Sequence, residues 1–224
     1  MSSSPTWPPT EAPLRPWLVQ GVRLVLWGLL VAGLVLGLAW AKDNTFSLQL
    51  NLGWFNGLSG EIGLGLFNIA GEKIGVRFGL AYSQADAVDN NVFAPSSENA
   101  QNITLGLDVS YSFDFQSAFT LSPYLGARYN LFSGSVTVGG SPNALASNQF
   151  GFGGGVRAGY FLDSQFSLLL DLGVDYFLES AIQVGSTRYN PGDNLGPPLN
   201  LNVHQWVNDP RLVWKGRVGL AFNF

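Results

Sequence analysis

His204 is the only histidine among 224 residues, and the chain has no cysteine. Hydrolase or acyltransferase chemistry needs a nucleophile and a base within hydrogen-bond reach, and a third group to orient the base. His204 sits in a long loop among Asn200, Asn202, Gln205 and Trp206, with no serine or acidic motif at a fixed spacing beside it. It reads as an exposed loop residue, so no catalytic residue is assigned and the chain is not expected to be an enzyme. Lipid modification is the weakest of the functional readings. Without cysteine there is no disulfide framework and no thiolate zinc site. The glycines at 153–155 are not a phosphate loop, because no Lys-Ser/Thr follows and no helix opens after them. No cofactor-binding or metal-ligating residue is assigned. A net charge of −4 argues against a nucleic-acid partner, which requires a basic stripe. Asn102-Ile103-Thr104 is formally a glycosylation triplet, but it falls at the start of a strand and reads as chance.

The remaining chemistry-bearing groups are charges set in apolar surroundings. They are Glu61, Arg77, Asp108, Asp114, Arg128, Arg157, Asp171, Asp175, Lys215 and Arg217, with Glu179 at one strand end. Near-balanced charges held on the inside of a narrow tube form a salt-bridge network, since an unpaired buried charge is very costly. The alternative use of such a set is a charged path for ions. Which applies depends on the elements that carry them.

Those elements have a period of two. From Asn102 to Phe115, Ile103, Leu105, Leu107, Val109, Tyr111, Phe113 and Phe115 alternate with polar or tiny residues. Successive strand side chains point to opposite faces, so one face is wholly apolar. The pattern recurs over Phe46 to Trp54, Glu61 to Leu66, Ile74 to Tyr82, Leu121 to Leu131, Phe150 to Leu162, Phe166 to Tyr176 and Leu212 to Phe224. That makes eight strands, most long enough for the ~9–11 residues of a tilted membrane strand. The second is the weakest, with its alternation slipping at Phe67. The connections alternate as well. Gly71 to Lys73, Gln116 to Thr120 and Asp163 to Gln165 are short. Segments 86–101, 139–148 and 185–210 are long, while Asn56 to Gly60 is a short turn on the same side as the long ones. Short turns on the terminus side and longer outer loops are the arrangement of outer-membrane barrels.

The two faces are inverted relative to a soluble barrel. The polar face is made largely of Gly, Ala and Ser, which suits a narrow lumen, and the large residues belong on the lipid side. Aromatics cluster near strand ends: Phe46, Phe115, Tyr160, Phe166, Phe222 and Phe224 toward the termini, and Trp54, Tyr82, Tyr129, Tyr176 and Trp214 toward the other side. Two aromatic rings around an aliphatic band mark the two lipid–water interfaces. Ahead of the strands, Arg15 and Arg23 precede the apolar run from Leu24 to Leu38, then Ala39-Trp40-Ala41. Positive flank, short apolar core and small-residue site make a secretory signal peptide cleaved after Ala41. An uncleaved inner-membrane anchor is the competing reading.

The region from Phe46 to Phe224 resembles the small outer-membrane barrels of the OmpA transmembrane-domain and OmpX type, with OmpW-like barrels second. The resemblance rests on strand number, loop sorting and the last strand, Val218-Gly-Leu-Ala-Phe-Asn-Phe224. It implies that Leu220, Phe222 and Phe224 form the signal read by the barrel-assembly machinery. It also implies no appended peptidoglycan-binding domain, because nothing follows the last strand. The expected fold is all-β: an eight-stranded antiparallel up-and-down transmembrane barrel over 42–224, preceded by a signal-peptide helix over 1–41. The expected location is the bacterial outer membrane, with lipids as neighbours and no cofactor. The expected role is structural or surface-interacting, with envelope or extracellular ligands meeting the long loops. A small passive, porin-like channel for hydrophobic or small polar solutes is the alternative.

Overall fold

The computed structural model of the chain describes residues 45–92, 95–115, 118–138, 140–196 and 201–224. The proposed signal peptide, 1–41, lies outside the described residues.

Eight antiparallel strands close into a barrel. In chain order they begin with β1 (Thr45–Phe55), β2 (Leu58–Phe67) and β3 (Ile74–Ala85). Then come β4 (Ser97–Tyr111) with its short continuation β5 (Phe113–Phe115), β6 (Phe119–Val138), β7 (Ser141–Phe161) and β8 (Phe166–Phe177). After the small β9 (Ile182–Val184) and β10 (Thr187–Tyr189), β11 (Leu212–Asn223) pairs with β1 from Ser47–Asn223 to Phe55–Lys215 and closes the wall. Closure leaves the barrel no free edge, which is what lets a sheet cross a lipid bilayer with every backbone group paired.

Sequence chemistry explains the turns. Asn56 and Gly57 both adopt positive φ, as a two-residue hairpin between right-twisted strands requires. Between β7 and β8 the Asp163 carboxylate accepts from the backbone N–H groups of Gln165 and Phe166, both at 2.7 Å. At the end of β2 the alternation does slip at Phe67, and Asn68 and Ala70 take left-handed conformations to turn the chain.

The expected inversion of faces is present. Leu52, Leu125, Phe150 and Trp214 are more than 60% exposed, while Ser47, Gln49 and Asn51 on the opposite face are buried. Period two alone does not assign the faces; the size of the side chains does, because a narrow interior admits only small or interlocked groups.

Most of segment 139–148, expected as an outer connection, is strand instead. β7 starts at Ser141 and pairs with β6 from Val138–Ser141 inward. Strands β6 and β7 run for 20 and 21 residues, about twice what the bilayer needs. They stand out of the membrane as a long hairpin. The ends of β4 and the β9–β10 pair join it through Ser97–Thr137 and Leu145–Val184. Segments 86–101 and 185–210 are likewise partly ordered. β4 begins at Ser97, and a single helical turn, α1 (Val203–Trp206), lies in the second.

This outer extension has a core of its own. Phe132 and Val136 of β6, Leu145 of β7, Ile182 of β9, Val203 and Trp206 of α1, and Val88 and Val207 are buried together. On β6 these residues share the inward parity of Arg128 and Asn130. The lumen side is thus polar within the membrane and apolar above it. Outward positions change in the opposite sense, from Ile103 and Leu131 to Asn99, Gln101, Ser133 and Ser135. Lipid rewards apolar groups facing out and water rewards apolar groups facing in, so the phase of the pattern inverts at the interface.

Candidate functional site

The charges singled out from the sequence come together in one belt across the lumen. All eight barrel strands supply it. Glu61 on β2 receives both Arg77 on β3 and Arg217 on β11. Asp108 on β4 is the hub on the other side, with Arg128 at 2.6 Å, Arg157 at 2.8 Å and Arg77 at 3.7 Å. Arg128 reaches on to Asp175 at 3.1 Å, which also takes the Lys215 ammonium at 3.1 Å. Arg157 meets Asp171 at 3.5 Å, and the Tyr124 hydroxyl donates to Asp171 at 2.7 Å. The Arg157 guanidinium lies 4.2 Å from the Tyr124 ring centroid, a cation–π stack. β1 contributes neutral partners: Gln49 accepts from Arg77 Nε at 2.6 Å, and Asn51 donates to Glu61 at 3.1 Å.

The strand register makes the belt. Arg77 faces Asp108 and Arg157 faces Asp171 as direct cross-strand partners. Every belt residue has inward parity, so neighbouring strands bring unlike charges to the same height. Small residues opposite them provide the room. A Cβ on Gly153 would lie 2.7 Å from Arg128 Nε and closer still to Asp175. One on Gly63 would lie 2.7 Å from Arg77 Nε. The glycines therefore give room to the arginine side chains that reach across the lumen.

Two of the sequence expectations need correction. Asp114, expected among the inward charges, lies on β5 at the terminus-side rim. There it pairs with Lys73 at 2.8 Å, both about half-exposed. Glu179 pairs with Arg211 at the outer rim and also stands apart from the belt. The belt itself holds five cations (Arg77, Arg128, Arg157, Lys215 and Arg217) and four carboxylates (Glu61, Asp108, Asp171 and Asp175). His204, expected as an exposed loop residue, is the second correction. Its side chain is only 6% exposed, packed at α1 with Asp209 Oδ1 3.9 Å from its Nδ1. Neither ring nitrogen makes a hydrogen bond. Burial and the nearby Arg211 cation hold its pKa below the ordinary histidine value. Asp209 is buried too, and burial pushes its carboxyl up to about 6. Its other oxygen accepts from Gln149 Nε2 at 3.0 Å, and Gln149 also donates to the Pro210 carbonyl at 2.9 Å. Gln149 thereby ties the 207–210 strap into the outer mouth of the lumen. Sequence reasoning misses this residue, although its inward parity beside Gly151 is readable.

The aromatic residues fall into contact clusters. On the terminus side Phe224 packs on Phe46 at 5.5 Å and on Phe222 at 4.5 Å, and Phe222 meets Phe166 at 5.0 Å. Phe115 meets Phe119 at 6.2 Å. Tyr160, paired across the wall with Phe119, and Leu220, paired with Leu168, are exposed on the same outer surface. Toward the other side Tyr129 packs on Phe150 at 4.8 Å, while Trp54, Tyr82, Tyr176 and Trp214 are exposed on the wall. Phe150 and Phe152 belong with this outer group, although the sequence reading does not assign them to it.

The chain matches the family model described as the outer membrane protein beta-barrel domain over residues 29–205. Among solved structures, it is similar to a major outer membrane protein from Thermus thermophilus, with 30% identity and a TM-score of 0.71. That alignment covers 81% of this chain and 99% of that one. Neisserial surface protein A aligns with 20% identity, 81% and 96% coverage and a TM-score of 0.42. The N-terminal β-barrel domain of Pseudomonas aeruginosa OprF aligns with 15% identity, 82% and 98% coverage and a TM-score of 0.47. These two likenesses are too distant to carry an argument. No curated protein matches the chain. The closed wall with its inverted faces, the family match and the similarity to the Thermus protein lead to one conclusion: the chain belongs to the outer membrane protein β-barrel domain family.

Proposed function

We propose that this protein is a closed, surface-displaying barrel of the bacterial outer membrane, with a structural or interaction role and no catalytic one. The observation that supports this reading is the ion-pair belt, in which Glu61, Asp108, Asp171 and Asp175 tie arginine and lysine side chains across the lumen. The cap above it, on the side of segments 86–96 and 185–210, is the surface offered to envelope or extracellular ligands. Export uses a signal peptide removed after Ala41, and Leu220, Phe222 and Phe224 are the segment offered to the assembly machinery. Reconstituted into planar bilayers, the protein gives no conductance steps above background. Regular unitary steps would overturn the closed reading.

A passive route for small hydrophobic solutes is the second reading, favoured by one feature of the wall. The β4–β6 ladder stops at Ser110–Tyr124, and pairing resumes only at Phe113–Leu121 on β5. Pro123, which has no N–H to donate, lies in the interruption.

A further inference from the structure

Beneath the belt, on the side of Thr45 and Asn223, the lumen opens into a cavity of about 290 Å³. Hydroxyl and amide side chains line much of it, and Phe67 and Leu169 give it an apolar patch. Among its described lining residues the one cation is Arg157. The one carboxylate, Asp114, is at the rim and already paired with Lys73.

Arg157 is 5% exposed. Its Nη2 donates to Asp108 and its Nε to Asp171, but its Nη1 makes no hydrogen bond among the described residues. Ser47, which lines the same cavity, has a buried hydroxyl with no partner. Two donors are thus left unused, and leaving buried donors unmade is costly. The belt above, with five cations against four carboxylates, makes the local field positive. A ligand head gains from that field only if it carries negative charge.

We propose that this cavity binds a small anion, a carboxylate or phosphate group that accepts from Arg157 Nη1 and Ser47 Oγ while its apolar part rests on Phe67 and Leu169. The site lies below the belt, so it does not depend on whether the belt conducts. The anion is either free solute from the terminus side or the head of an amphiphile. Ser112 and Ser122, paired through their hydroxyls at 2.9 Å, line the cavity beside the interrupted ladder at Pro123, the place where an amphiphile would enter from the side.

The test is titration of the folded barrel in uncharged micelles with inorganic phosphate, hexanoate and hexanol, read by the NMR resonance of the Arg157 Nε–H. Saturable shifts with phosphate and hexanoate support a free anion, and shifts with hexanoate alone support an amphiphile. No saturable shift with either anion, or an equal shift with hexanol, overturns the site. Ala221→Leu fills the cavity without touching a charge, and heat-dependent gel mobility reports whether it folds. It weakens anion binding by about tenfold or more, equivalent to roughly 1.4 kcal/mol. Ser47→Ala weakens it in the same direction and serves if the leucine variant fails to fold. Undiminished binding in a folded variant overturns the proposal.

Discussion

Asp108 is ion-paired with three guanidinium groups inside the lumen, and removing any one changes the charge balance of a buried cluster. Arg128 is the most exposed to this argument, because it bridges Asp108 and Asp175. Arg128→Met leaves two carboxylates short of a partner, and breaking a buried pair in this way costs about 3–5 kcal/mol. Denaturant unfolding from micelles measures it. Gly153→Ala tests the packing of the same belt from the neighbouring strand β7. The added methyl must displace Arg128 and Asp175, so it destabilises by about 1–3 kcal/mol although the substitution is small. At the outer mouth Asp209 sets a pH dependence. Its carboxyl pKa rises from 3.8 to about 6 because it is buried, with Arg211 opposing and Glu179 reinforcing the shift. The folded strap holds the proton more tightly than the unfolded one. Its stability therefore increases as pH falls through about 6, levels off near the unfolded value, and is lost as pH rises through the folded pKa. Protection against hydrogen exchange at residues 203–210 rises as pH falls over that window, and Asp209→Asn removes the dependence.

At the scale of elements, the extended β6–β7 hairpin and α1 form a unit distinct in its physics from the membrane wall beneath. The wall is held by closed backbone ladders and lipid, the cap by an apolar core centred on Trp206 and Phe132. Side chains connect the cap segments. Glu98 accepts from the backbone N–H groups of Ala87 and Val88, and the Asn208 N–H donates to the Ala87 carbonyl. Trp206→Ala empties the centre of that core, at a cost of about 3–5 kcal/mol. The loss falls on the cap: limited proteolysis cuts within 86–96 or 185–210, while the barrel keeps its heat-dependent gel mobility. Loss of the mobility shift together with the cap would show that the two do not separate energetically.

For the whole molecule, the inverted wall predicts accessibility. The absence of cysteine makes single-cysteine scanning direct. A cysteine at Leu50 or Leu168, both outward and exposed, is shielded by lipid from a membrane-impermeant maleimide in proteoliposomes. A cysteine at Asn90, in the outer loops, is labelled. Equal labelling at all three positions would contradict the membrane placement of the wall.

Much of this protein is legible without tertiary structure. Alternation over Ile103 to Phe115 specifies strands rather than helices, because no helix can put those residues on one face. Small residues at the polar positions specify which face turns inward, because an eight-stranded tube cannot hold large side chains at every inward position. Parity alone places Glu61, Arg77, Asp108, Arg128, Arg157, Asp171, Asp175, Lys215 and Arg217 inside together. Pairing choice is a different matter. Whether Arg128 meets Asp108 or Asp175 depends on strand stagger and on the room left by Gly126 and Gly153, which are relations between distant segments. The same limit hides the cap. At Leu131 and Phe132 the apolar residues change phase along one continuous strand. Read locally, the change resembles a strand end, and only the partner strand across the hairpin shows that pairing continues. His204 and Asp209 are invisible as buried groups for the same reason: nothing within the loop buries them, and the core that does is assembled from β6, β7, β9 and α1. The sequence by itself determined a transmembrane barrel with a charged interior, because alternation and side-chain volume are local properties. The tertiary structure decided how the interior charges pair, that described parts of the outer connections share one apolar core and that a cavity lies below the belt, because each depends on which distant side chains share one space.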